Sequence, residues 1–150
     1  MTETPKVKGA WDARRVDRHL EESVVPLRLA IHGATGFPVL VSLWYLYEDR
    51  CLWCAVQRDS RVGQLVRRES RCAFEVAPNE PPYYGVRGQG HAHLVPEAGS
   101  SILRRLMDRY LGDRYTSLRS WLEARAATET AIRIEPVRLT SWDFSQRMQG

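Results

Sequence analysis

Apolar residues recur along this chain in two rhythms, and the switches between them lay out its elements. After a polar start, residues 10–22 place Val16, His19 and Leu20 on one side of a helical period with charges opposite, which predicts a short helix. Leu27–His32 reads as a strand, ended by the turn signal Gly33-Ala-Thr-Gly36. Residues 39–47 are apolar on both faces, the pattern of a central strand buried on both sides. Glu48-Asp-Arg50 turns the chain into a further strand at 51–56. A helix follows, capped by Asp59 or Ser60, with Val62, Leu65 and Val66 as its apolar side. Residues 71–77 alternate, with Cys72, Phe74 and Val76 on one face. The prolines of 78–83 exclude a helix there.

Tyr84–Val95 alternates again: Tyr84, Val86, Ala92 and Leu94 on one face, Arg87, Gln89, His91 and His93 on the other. Gly85, Gly88 and Gly90 inside it predict a bend, or a backbone that something approaches closely. Residues 97–111 form an amphipathic helix stopped by Gly112, with Ile102, Leu103, Leu106, Met107 and Tyr110 inward. A second helix starts near Thr116 and turns Leu118, Trp121 and Leu122 inward. In the last strand, from about Thr130, the apolar parity shifts at Pro136, which predicts a bulge. Six strands, mostly joined as hairpins and flanked by few helices, predict a mainly β protein: a small antiparallel barrel with helices packed outside. The whole of 1–150 reads as one domain, with 1–9 disordered.

Composition narrows the function classes. The chain is 43% hydrophobic and 27% charged, ordinary for a globular protein, and no stretch approaches 18 consecutive apolar residues. Its start lacks the apolar segment of a signal peptide, so a cytoplasmic protein is expected. The three cysteines, Cys51, Cys54 and Cys72, sit in apolar strand contexts, which fits buried thiols in a reducing compartment. Cys51 and Cys54 are three apart on a strand and point to opposite faces, a poor metal pair. His91 and His93 share a face, but no third ligand is evident, so no metal is expected; either could line a substrate cavity and donate a proton. The net charge of +4 is carried by arginine apart from Lys6 and Lys8, with acids interleaved. That favours a small anionic ligand over nucleic acid. Arg104, Arg105 and Arg109 read as a solvated helix side.

The strongest chemical signal is Gln57-Arg-Asp-Ser-Arg-Val62, a donor cluster where a strand opens into a helix. Arg58, Ser60 and Arg61, the helix N–H groups and the helix dipole can converge there on one phosphate. With the order of elements around it, this segment resembles the pyridoxamine 5'-phosphate oxidase-like FMN-binding split-barrel family. The strand Tyr84-Gly-Val-Arg-Gly-Gln-Gly-His-Ala92 resembles that family's Val-Arg-x-x-Gly-x-Ala strand, and Ile134–Trp142 resembles its last strand.

The resemblance implies a six-stranded split barrel and a homodimer with flavin at the subunit interface. Arg58, Ser60 and Arg61 would contact the FMN phosphate. Val41, Ser42, Leu43 and Trp44 would lie along the ring, Val56 would stand beside the phosphate loop, and Trp142 would come from near the partner's site. The implied activity is oxidoreductase: reducing equivalents pass between a nicotinamide cofactor and a small, planar substrate. Val62, Val56 and Gly85 stand where the family commonly has lysine, threonine and glutamine. A deazaflavin coenzyme or haem therefore stays open, as does a non-enzymatic flavin- or haem-binding role.

Overall fold

A single sheet wraps around one core. The computed structural model describes residues 3–149. Its strands are β1 (Lys6–Gly9), β2 (Leu27–His32), β3 (Pro38–Leu43), β4 (Leu46–Glu48), β5 (Cys51–Gln57), β6 (Arg71–Val76), β7 (Tyr84–Val95) and β8 (Glu129–Asp143). Helix α1 (Ala13–Glu22) precedes β2, α2 (Arg61–Arg68) follows β5, and α3 (Gly99–Leu111) and α4 (Thr116–Ala124) lie between β7 and β8. The strand order is β3-β2-β6-β7-β8-β5-β4, with β1 added on β8. All pairings are antiparallel except β1 with β8.

That order forces the sheet to curl. β3 and β4 are its two edges, yet only Trp44 and Tyr45 separate them in the chain. A flat sheet would hold edges six strand spacings apart, roughly 29 Å. Three residues of chain reach at most about 11 Å. The edges must therefore approach each other, and the sheet becomes a barrel split beside β3. Long strands β7 and β8 form its spine, paired over twelve positions.

The mainly β, antiparallel split barrel with flanking helices is thus the observed fold, with eight strands rather than six. The predicted long central strand at 39–47 is two edge strands. Trp44 leaves the sheet to stack on Tyr110 of α3 (centroids 5.2 Å, interplanar 8°). Tyr45 turns into the core, where its Oη–H donates to the Leu20 carbonyl at 2.8 Å. The apolar outer face of β3 is not buried, and Leu40 is 70% exposed. The expected disorder of 1–9 also fails for Lys6–Gly9, while residues 1–2 of that segment lie outside the described residues. β5 covers only the first half of β8, so Arg138–Ser141 would be an open edge, and β1 satisfies it.

Other expectations hold at residue level. The bulge at Pro136 is real: Gln89 pairs Arg138 and Gly90 pairs Pro136, leaving Val137 as the extra residue. Asp49 and Arg50 close the β4–β5 hairpin with φ of 54° and 60°, the backbone of a two-residue type I′ turn built without glycine. Val16 and Leu20 of α1 and Leu65 and Val66 of α2 join Leu29, Ile31, Val86, Ile132, Ile134 and Leu139 in the barrel core. Ile102, Leu103, Leu106 and Met107 of α3 form separate clusters on the outside, against Trp44 and Ala55. α4 differs from expectation. None of its residues is buried, Trp121 is 56% exposed under the Arg125 guanidinium, and Leu122 alone of the three packs inward. Arg104 and Arg105 are exposed and pair with Glu123 and Glu48, but Arg109 instead donates to the Glu21 and Ser23 carbonyls. No helix among the described residues is long and apolar enough to cross a membrane.

Candidate functional site

The β5–α2 corner gathers three of the predicted residues. Ser60 is the N-cap of α2, and its Oγ accepts the Gly63 N–H at 3.1 Å. The Gln64 N–H goes to the Ser60 carbonyl. The Arg61 and Val62 N–H groups have no acceptor among the described residues, so two helix-end donors remain. Gly63 keeps the corner open: a Cβ there would stand 3.3 Å from both the Ser60 Oγ and the Arg58 carbonyl oxygen. Arg58 and Arg61 are exposed and make no ion pair among the described residues. The Ser60 hydroxyl accepts as a cap and so keeps its proton available for donation.

A partly buried network that the sequence pattern does not announce holds this corner. Gln57 Nε2 donates to the Arg125 carbonyl (3.1 Å) and to Glu129 Oε1 (3.0 Å), while Thr128 Oγ1 donates to Gln57 Oε1 (2.6 Å). The Arg58 N–H donates to the Thr128 carbonyl at 3.0 Å. Glu129 is 6% exposed, its Oε2 has no partner, and burial raises its carboxyl above the usual range. A glutamate opening a strand carries no signal of burial; only the Gln57–Glu129 register reveals the network.

The remaining predicted residues are spread more widely. Val41 and Leu43 turn toward the core and Ser42 is exposed on β3. Trp44 lies under α3 against Tyr110, and Val56 is a core residue next to the corner. Trp142 is not near the corner in its own protomer. Glu129 pairs with Gln57 and Trp142 with Gly85, and the strand between them is thirteen residues long, about 40 Å. The Trp142 ring lies against Gly85, where a Cβ would come within 2.7 Å of Cζ2, and the Arg87 guanidinium sits 5.2 Å from its centroid. Glycine in place of the family's glutamine is the space that ring occupies.

On the outer face of the sheet lies a cleft of about 460 Å³, lined by Arg28, Ala30, Leu40, Glu75, Arg87 and Arg138 among others. A second, of about 610 Å³, shares Ala30, Ala73 and Gln89 with it and runs toward His32 and His91. His91 and His93 stack with centroids 6.4 Å apart, and His91 Nδ1 is 3.0 Å from Ser70 Oγ. Among the described residues no group of three or more His, Cys, Asp or Glu is placed to hold a metal. All three cysteines are buried thiols. Burial pushes Cys72 up to about 12 and Cys54 higher still, which makes neither a nucleophile.

Comparison with known proteins gives this geometry a context. A family model described as pyridoxamine 5'-phosphate oxidase matches residues 12–148. No curated protein sequence matches the chain significantly. Among solved structures, the conserved hypothetical protein Rv2991 from Mycobacterium tuberculosis aligns with a TM-score of 0.78 at 22% identity, over 99% of this chain and 94% of that one. An F420 reductase aligns with a TM-score of 0.66 at 19% identity, over 80% and 92% of the two chains. An FAD-binding protein from Mesorhizobium loti aligns with a TM-score of 0.63 at 19% identity, over 87% and 93%. At these identities the likenesses establish the split-barrel fold.

Proposed function

The chain belongs to the pyridoxamine 5'-phosphate oxidase family, and on that footing we propose that it is a homodimeric, FMN-dependent oxidoreductase acting on a small substrate. The observation that carries this reading is the β5–α2 corner. Two exposed guanidiniums without an ion pair among the described residues, one hydroxyl and two uncommitted helix N–H groups lie together within residues 58–62, the kind of donor set that a phosphate dianion needs. Arg58, Ser60 and Arg61 would hold the FMN phosphate. The exposed edge strand β3, around Val41, Ser42 and Leu43, would offer backbone N–H and C=O groups to the flavin's polar rim. The bound flavin would supply hydride chemistry that no side chain here performs.

The separation of Trp142 and the corner is what supports the dimer reading. About 40 Å of β8 runs between them in one protomer, so a site that used both would draw Trp142 from the partner. Surface composition supports a subunit contact on the outer sheet face, where exposed Leu40 and Val137 lie among arginines.

A deazaflavin coenzyme is the second reading. It is favoured by Val56, a buried apolar side chain, and by Val62, which together remove two phosphate donors beside the corner. The F420 reductase among the fold neighbours supports the same alternative. One experiment separates the readings. The purified protein is incubated with FMN, desalted, and its visible spectrum recorded before and after anaerobic addition of NADPH. Retained flavin absorbance that bleaches supports the first reading. Retained flavin that does not bleach indicates a binding protein, and failure to retain FMN beside retention of a deazaflavin supports the second.

A further inference from the structure

The outer face of the sheet carries cations that the phosphate corner does not use. Across the strands one row runs Ser42, Arg28, Glu75, Arg87, Thr140. The next runs Leu40, Ala30, Ala73, Gln89, Arg138. The small side chains of Ala30 and Ala73 leave room for an open cleft of about 460 Å³, lined by the three arginines and, on the β3 side, by Leu40. Glu75 stands opposite both Arg28 and Arg87, yet among the described residues none of Arg28, Arg87 and Arg138 makes an ion pair. Arg87 is also held against the Trp142 ring, which limits its rotamers. Three guanidiniums around a concavity with a single carboxylate focus positive potential there. Their planar forks match a carboxylate or phosphate.

We propose that this cleft binds the substrate, a small organic anion whose carboxylate or phosphate lies among Arg28, Arg87 and Arg138 and whose apolar part covers Ala30, Ala73 and Leu40. Its role as substrate rests on the flavin reading, because Leu40 and Ser42 belong to the strand proposed to run along the flavin. The anion binding does not. A dimer closing over this face would set like charges against each other unless such an anion lay between them.

The test is isothermal titration calorimetry of the cofactor-free protein with isophthalate (benzene-1,3-dicarboxylate) at fixed ionic strength. Arg87→Gln and Arg138→Gln are compared with the wild type, and Arg67→Gln, an exposed position on α2, is the control. Circular dichroism verifies that each variant is folded. Saturable binding is expected in the wild type, weakened at least ~10-fold in either cleft variant and unchanged in the control. Three results overturn the proposal: no saturation, an equal loss in Arg67→Gln, or a dimer weakened in sedimentation while the isotherm stays unchanged. A parallel FMN titration keeps the two ideas apart. Protein that binds isophthalate but not FMN retains the anion site and sinks the flavin reading; the converse does the opposite.

Discussion

Ser60→Asp separates the two jobs of the residue at the β5–α2 corner. As a cap, Ser60 needs only an acceptor for the Gly63 N–H, 3.1 Å away. Aspartate supplies one equally well, and its charge is favoured by the helix dipole. The unliganded variant should therefore unfold within about 0.5 kcal/mol of the wild type in urea. As a phosphate donor, by contrast, the residue is inverted. Two unit charges about 4 Å apart at an effective dielectric of about 20 repel by roughly 4 kcal/mol. That is about three orders of magnitude in Kd, measured by flavin fluorescence quenching. Ser60→Ala gives the opposite profile: about 1 kcal/mol of stability is lost with the cap, while FMN loses a single hydrogen bond. A Ser60→Asp protein that binds FMN like the wild type would place the phosphate elsewhere and refute the reasoning.

Two further predictions concern the scaffold around the site. Tyr45→Phe removes the buried hydrogen bond to the Leu20 carbonyl, so the urea midpoint should fall by the equivalent of about 1–2 kcal/mol, and an unchanged midpoint would show that this clasp between the β3–β4 crossing and α1 is not stabilising. His19 is partly buried, which lowers its pKa below 6.5 despite the Val76 carbonyl at 2.8 Å. Neutral imidazole is thus the folded form, so its contribution is present above pH 6.5 and lost as pH falls through the lowered value. Melting temperatures of the wild type should drop more between pH 7 and pH 5 than those of His19→Gln, and parallel curves would contradict the assignment.

How much of this was legible in the sequence depended on whether the signal was local. Strand alternation in Leu27–His32 and Tyr84–Val95, the cap at Ser60 and the parity slip at Pro136 are local, and each appears where the residues place it. The pattern at 39–47 is ambiguous because apolar residues on both faces have two causes. They mark a buried strand, or an edge strand whose outer face is left for something else, and Leu40 at 70% exposure is the second case. β1 was invisible for another reason: Lys6–Gly9 has little strand character of its own, and forms because β8 outruns β5. The outer cleft was half legible. Strand alternation places Arg87 and Gln89 on the correct face, but Arg28 and Arg138 join them only through the order β2-β6-β7-β8. Nothing in a single sequence announces that order.

The central claim is that the β5–α2 corner recognises a phosphate. Fluorescence titration of FMN and of riboflavin, identical except for that group, tests it on the wild-type protein. The account predicts that FMN binds at least ~100-fold more tightly, from two or more charge-assisted hydrogen bonds. Equal affinity for the two flavins would contradict it.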